Sequence, residues 1–158
     1  MYERILIPLD GSREGESAVS YVEGLVSKLA QGITAEITLL QIVSSLVHNV
    51  VGGGVSARIP FTEQEIEQIQ KKAIDYLEKT GEGLRNKGAI VKTKVGIGVV
   101  ADAITKAADE ANVDLIAMST HGRSGINRWA FGSVTDRVLR GGSKPMLVVR
   151  ASKEATST

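Results

Sequence analysis

The segment with the most chemical potential is rich in glycine and arginine. It reads S-T-H-G-R-S-G-I-N-R-W-A-F-G-S-V-T-D and runs from Ser119 to Asp136. Its glycines allow the backbone to turn and to approach a ligand closely, and its arginines supply positive charge. Gly132 and Ser133 begin a helical pattern, and the amides and positive dipole end of a helix favour phosphate. These features outline a mononucleotide site; alternatively, Ser133 is an ordinary N-cap and Asp136 completes an S-x-x-D capping box.

Few other side chains are candidates for chemistry. His121 could contact a phosphate or be a plain loop histidine, and His48 is assigned no role. Two histidines are too few for a metal site made of imidazoles, and the absence of cysteine excludes a thiolate zinc site. The chain has no G-x-x-x-x-G-K-[ST] phosphate loop and no G-x-S-x-G nucleophile motif. Efficient catalysis is therefore not predicted, and no catalytic or metal-ligating residue is assigned.

Apolar periodicity predicts five strands and four helices that would position these residues. The strands are predicted at 5–9, 35–43, 89–95, 113–118 and 146–149, and the helices at 15–30, 62–88, 100–111 and 132–140. The second helix begins with T-E-Q-E, which predicts a capping box between Thr62 and Glu65. Residues 44–61 show no period and contain three successive glycines, so they are predicted to form a long mobile loop.

The strand and helix alternation predicts one α/β domain over residues 1–150, followed by a flexible tail at 151–158. The domain is expected to be an open, Rossmann-like parallel sheet of five strands in the order 3-2-1-4-5, with helices on both faces. The direction of winding reverses between strands one and four, and ligands bind outside the carboxyl ends of the strands at such a reversal. Residues 8–12 and 118–133 must line that crevice.

Composition narrows the classes of function. Nineteen Lys and Arg against eighteen Asp and Glu leave a net charge of +1, and aromatic residues are 4% of the chain. Neither an electrostatic nor a stacking surface for nucleic acid is therefore predicted. The apolar runs are too short for a membrane span, and the amino end M-Y-E-R-I-L-I-P-L-D lacks the pattern of a signal peptide. We expect a cytoplasmic protein that binds neither nucleic acid nor membranes.

Several motifs together resemble the universal stress protein family. They are I-L-I-P-L-D-G-S at the start, L-L-Q-I-V after the second strand, and M-S-T-H-G-R-S-G followed by G-S-V-T. The ATP-binding members of that family carry G-x-x-G, nine residues, and then Gly with Ser or Thr. Gly122 and the pair Gly132-Ser133 match the second and third glycines, whereas Ser119 stands at the position of the first.

The resemblance implies an adenine nucleotide as ligand: ATP, or ADP or AMP, with Mg²⁺ carried by the phosphates. The residues that it places at the nucleoside are Pro8, Asp10, Ile42, Gly98, Met118 and Ser119. Those that it places around the phosphates are Gly122, Arg123, Gly132, Ser133, Val134 and Thr135. Local sequence alone leaves a plainer alternative for Asp10, which could merely bond the following turn, and for Gly98, which could merely end a strand. The resemblance and the apolar strand Lys144 to Arg150 at the predicted sheet edge also indicate a homodimer through that strand.

Three functions remain open at this level. The first is a regulatory stress-response protein whose dimer depends on the bound nucleotide. The second is an enzyme that slowly hydrolyses ATP or transfers its phosphate, with Arg123 as charge stabiliser. The third is a family member that binds another small ligand instead of ATP.

Overall fold

The computed structural model of the chain describes residues 2–44, 46–120 and 132–151. The strands are β1 (Arg4–Leu9), β2 (Glu36–Val43), β3 (Val47–Gly52), β4 (Val55–Pro60), β5 (Ile90–Ile97), β6 (Leu115–Thr120) and β7 (Met146–Arg150). The helices are α1 (Arg13–Val26), α2 (Glu63–Thr80), α3 (Glu82–Asn86), α4 (Val100–Glu110) and α5 (Ser133–Gly141).

Five strands form one parallel sheet in the order β5-β2-β1-β6-β7. When only the five strands of this sheet are numbered along the chain, the order is 3-2-1-4-5, as predicted. The predicted parallel α/β domain and its strand order are thus confirmed. β1 is central and is apolar at nearly every position, as expected for a strand that is covered on both faces. The sheet changes its direction of winding between β1 and β6, where the sequence predicts the crevice.

Two hydrophobic cores lie on opposite faces of this sheet. On one face, α1 packs with Leu77 of α2 and Leu84 of α3 against alternate residues of the central strands. On the other face, α4 and Val138 of α5 pack against the remaining alternate residues, among them Leu6 and Ile116. This alternation of side chains from β1, β2 and β6 confirms that helices cover both faces.

The prediction of a mobile loop over residues 44–61 is wrong. β3 and β4 pair antiparallel from Val47 opposite Pro60 to Gly52 opposite Val55, as a hairpin outside the main sheet. The two residues between the strands, Gly53 and Gly54, have φ of 59° and 79°. Such a turn needs positive φ at both positions, so the glycines select a tight hairpin turn rather than disorder.

The helix predicted over residues 62–88 is also broken in two. It begins as predicted, because the Glu65 amide donates to Thr62 Oγ1 at 3.3 Å and the Thr62 amide donates to Glu65 Oε2 at 2.7 Å. It ends before Gly81, where a Cβ atom would lie 2.9 Å from Val91 Cγ1 and 3.2 Å from Leu39 Cδ1. The missing side chain lets the helical backbone approach the sheet closely at the junction of α2 and α3.

Within residues 2–44, 46–120 and 132–151, every helix is too short or too polar to span a membrane.

Candidate functional site

A cavity of about 480 Å³ opens at the carboxyl ends of β1, β2 and β6, at the reversal of the sheet. Nine residues predicted for the site line it: Pro8, Asp10, Ile42, Met118, Ser119, Gly132, Ser133, Val134 and Thr135. Gly98 is not among the lining residues. Gly122, Arg123 and His121 lie outside the described residues. Segments more than one hundred residues apart in the chain therefore meet at one crevice.

Asp10 combines a place in the cavity wall with a role in the turn after β1. Its Oδ1 accepts hydrogen bonds from the Ser12 amide at 2.9 Å and from the Ser12 hydroxyl at 2.5 Å. Ser12 is in turn the N-cap of α1, because its Oγ accepts a hydrogen bond from the Gly15 amide at 3.1 Å. The turn holds the carboxylate at the mouth of the cavity, so the two interpretations of Asp10 are compatible.

The first turn of α5 forms a second part of the wall. The N-cap is Gly132, Ser133 is the first residue of the helix, and among the described residues no side chain caps it. The alternative of an S-x-x-D capping box is therefore wrong: the Asp136 carboxylate accepts from Arg140 Nε at 2.9 and 3.0 Å, one turn further along. The first amides of a helix lack partners within it and carry its positive dipole end, which suits an anionic ligand group.

The floor of the cavity is apolar. Leu40, Ile42, Val100, Ile104, Met118 and Val134 line it, and all six belong to the core between the sheet and the α4 and α5 helices or pack against that core. A wall of this kind excludes water and favours a flat or apolar ligand part. The arrangement therefore suits a ligand that is apolar at one end and anionic at the other.

Gly98 lies beside this site rather than in its wall. Its φ is 138°, which strongly favours glycine, and its amide donates to the Val43 carbonyl at 3.1 Å. It thereby joins the end of β5 to the end of β2, as in the plainer alternative of a residue that ends a strand. The position of Val100 in the cavity depends on this turn, because α4 begins two residues later.

Ser119 faces α1 with its hydroxyl. Its Oγ donates to the Gly15 carbonyl and accepts from the Ala18 amide, both at 2.9 Å, and the residue is buried. The side chain that replaces the first glycine of the family motif thus has both hydrogen bonds satisfied by the backbone of a neighbouring helix.

Sequence reasoning missed a polar residue of the wall, Gln41 at the end of β2. Its Oε1 is buried and has no hydrogen-bond partner in the described part of the chain. The signal was available, because Gln41 lies at the carboxyl end of a strand beside the reversal. A buried carbonyl oxygen without a partner is costly, so a bound donor would stabilise it.

Two carboxylates, that of Asp10 in the cavity wall and that of Glu16 in α1, act on Tyr76 of α2. The Tyr76 hydroxyl donates to Glu16 Oε1 at 3.1 Å. Burial, followed by the charges of Glu16 and Asp10, raises the pKa of Tyr76 far above its usual value. Both effects disfavour the phenolate of Tyr76 and so maintain its hydroxyl as the donor to Glu16.

The fold and the crevice define an open parallel α/β protein with a ligand cavity at the reversal of its sheet. The chain belongs to the universal stress protein family, because the model of that family matches residues 1–150. This confirms the resemblance drawn from the sequence motifs.

Individual relatives match over nearly the whole chain. Universal stress protein MJ0577 of Methanocaldococcus jannaschii is 29% identical over 160 residues, which covers 95% of this chain and 96% of that protein. A solved structure of MJ0577 superposes with a TM-score of 0.71 at 26% identity, over 97% of this chain and 99% of that one.

Two more distant structures share the fold and were solved with ligands. A universal stress protein in complex with cAMP has a TM-score of 0.65 at 20% identity, over 96% of this chain and 98% of that one. A universal stress protein of Archaeoglobus fulgidus in complex with dAMP has a TM-score of 0.60 at 17% identity, over 93% of this chain and 97% of that one.

Proposed function

We propose that this universal stress protein binds an adenine nucleotide, ATP above all, in the cavity at the sheet reversal, and that binding regulates it in the stress response. One observation carries the proposal: the same cavity is lined by an apolar floor, by Asp10 and by the first turn of α5, a helix that no side chain of the described residues caps at its amino end. An adenosine group fits the first part, phosphates fit the second, and a ribose hydroxyl can donate to the carboxylate.

The ligands of the two structural neighbours support this choice. Both cAMP and dAMP are adenine nucleotides, and the proteins that bind them share the fold of this chain. The extension to ATP rests on the first turn of α5 in the cavity wall, Ser133 to Thr135, because the amino end of a helix suits phosphate groups. Mg²⁺ would be carried by the phosphates, because the described residues contain no cluster of three or more metal-ligating side chains.

We further propose that two copies pair through β7. This strand forms one edge of the five-stranded sheet, and β6 occupies its other side. An edge strand offers unpaired backbone groups to a second strand. A homodimer formed in this way would bring together the carboxyl-terminal halves that carry the phosphate end of each cavity. A cytoplasmic location remains a prediction from the sequence.

The experiment is a binding titration with purified protein from which small molecules have been removed by unfolding and refolding. ATP, ADP, AMP, GTP and adenosine are titrated by calorimetry, with and without Mg²⁺, while phosphate release is measured in parallel. We expect micromolar or tighter binding of an adenine nucleotide, weaker binding of GTP, and turnover too slow for an efficient enzyme. Absence of binding by all the adenine ligands contradicts the proposal and leaves the alternative of another small ligand. Rapid phosphate release contradicts the regulatory assignment.

A further inference from the structure

A series of hydrogen bonds, joined through the backbone of Gly15, links the ends of the two strands that flank the sheet reversal. It starts at Asp10 after β1, runs through Ser12 and Gly15 in the first turn of α1, and ends at Ser119 of β6. The links are Ser12 N and Oγ to Asp10 Oδ1, Gly15 N to Ser12 Oγ, and Ser119 Oγ to the Gly15 carbonyl, with lengths between 2.5 and 3.1 Å. The Ala18 amide donates to Ser119 Oγ and so attaches the same hydroxyl to the next residues of α1.

The packing around this chain leaves it little freedom. A Cβ atom on Gly15 would lie 2.9 Å from Asp10 Oδ1 and 3.3 Å from Ser12 Oγ, so the helix backbone is in close contact with the carboxylate. A shift of the first turn of α1 must therefore move Asp10. Ser119 holds this turn through both a donor and an acceptor, and the residue is buried.

We infer that Ser119 is a positioning residue for ligand binding: it fixes the first turn of α1 and thereby orients the Asp10 carboxylate toward the ligand. This inference rests on the proposed function, because it assigns Asp10 a contact with the ribose. It gives a role to the one position at which the chain departs from the glycine motif. The serine does not contact the nucleotide through its hydroxyl; its effect passes through Gly15 and Ser12 to the carboxylate.

The first arm of the test needs no ligand. Amide signals of Ser12 and Gly15 are followed by NMR in the wild type and in Ser119→Ala, with Ser27→Ala as control. The Ser27 hydroxyl also donates to a helix carbonyl, that of Gly24 at 2.9 Å, but it lies at the far end of α1 and outside the cavity wall. We expect Ser119→Ala to shift both signals and speed their hydrogen exchange, whereas Ser27→Ala leaves them unchanged. Unchanged signals in Ser119→Ala overturn the inference whatever the protein binds.

The second arm is a double-mutant cycle for ATP affinity with Ser119→Ala, Asp10→Ala and both together. We expect Ser119→Ala to weaken ATP binding by about threefold to tenfold, as for a mispositioned hydrogen bond to a charged group. In the Asp10→Ala background the same change should weaken it by less than about twofold, because the group that it positions is gone. Equal losses in both backgrounds, or no loss in either, overturn the inference.

Two further measurements keep the result clear. If Ser119→Ala does not fold, Ser12→Ala breaks the same chain at another link, and we expect the same non-additivity with Asp10→Ala. Replacing ATP by 3′-deoxy-ATP and 2′-deoxy-ATP reports the ribose contact directly: at least one should lose affinity in the wild type and lose less in Ser119→Ala. If Ser119→Ala shifts the amide signals as expected but the wild-type protein binds no adenine nucleotide, the proposed function fails and the ligand-binding role of Ser119 fails with it.

Discussion

Replacement of Gly132 by alanine is the most informative single change, because it shows whether the fold or the ligand requires a glycine at this position. Its φ of −56° and ψ of 154° are accessible to any residue. A Cβ atom built there meets no other atom within 4 Å in the described part of the chain. The described part of the fold therefore does not explain the glycine, whereas a phosphate held against the first amides of α5 would.

The expected changes differ greatly in size. Gly132→Ala destabilises the fold by about a few tenths to 1 kcal/mol, because alanine is a poorer N-cap residue than glycine. It also stabilises the fold by about 0.4 to 1 kcal/mol, because alanine restricts the unfolded chain. The two effects oppose each other, so the free energy of unfolding should change by less than about 0.5 kcal/mol. The melting temperature should then move by less than about 2 °C. Loss of one amide contact to a charged phosphate costs about 1.5 to 3 kcal/mol, which weakens ATP binding by about tenfold or more.

The assay compares ATP with adenosine by calorimetry in the wild type and in Gly132→Ala. Adenosine affinity should change by less than about twofold, since adenosine has no phosphate to place at the first amides of α5, and ATP affinity should fall more steeply with salt than adenosine affinity. Gly24→Ala is the matched control, because Gly24 is exposed in α1, its Cβ also meets no atom within 4 Å, and it is outside the cavity wall. It should gain up to about 1 kcal/mol of stability and bind ATP as the wild type does.

The reasoning is refuted by equal losses for ATP and adenosine in Gly132→Ala, by equal salt slopes, or by unchanged ATP affinity in a folded variant. The bulkier Gly132→Val extends the series. Its ATP affinity should fall further while its adenosine affinity stays near that of the wild type.

Three other predictions follow from the structure. Asp10→Ala should weaken adenine nucleotide binding by about tenfold or more without loss of fold, whereas Asp75→Ala on the exposed side of α2 should leave binding unchanged. If calorimetry finds the same affinity in Asp10→Ala as in the wild type, Asp10 serves only the turn after β1. The native chain should have the mass of a dimer at micromolar concentration by light scattering, and a monomeric mass would count against pairing through β7. Hydrogen bonds from the Arg4 backbone and side chain and from the Glu3 amide hold the pKa of Asp114 below its usual value. The ionised Asp114 carboxylate therefore stabilises the fold above about pH 4, and this stabilisation disappears as the pH falls through the lowered pKa. Asp114→Asn should therefore melt at a lower temperature than the wild type at pH 7, with a difference that shrinks below pH 4; a constant difference would contradict this assignment.

Local patterns predicted the parts of the fold that depend on local spacing. The apolar run Ile5 to Leu9 and the capping box at Thr62 are visible within a few residues, and the strand order follows from the alternation of strands and helices. The hairpin was missed because its three glycines were interpreted as mobility, although two of them give a turn with positive φ.

Contacts between distant residues could not be predicted in the same way. The close approach at Gly81 involves Val91 and Leu39, which belong to other elements and come near it only in the folded sheet. The hydroxyl of Ser119 meets backbone groups 101 and 104 residues away. Motif spacing can place Ser119 at the crevice, but only the fold shows which neighbour its hydroxyl contacts.

The β3–β4 hairpin has a consequence for how the chain tolerates changes of length. Val47 and Pro60 are directly opposite each other, and the Phe61 amide closes the base of the hairpin by donating to the Leu46 carbonyl at 2.9 Å. The two ends of the segment are therefore already adjacent, so a short linker could replace it without stretching the connection from β2 to α2. Because neither strand pairs with the five-stranded sheet, this position can accept an affinity tag, a reporter domain or a shortened turn while the sheet and its crevice keep their register.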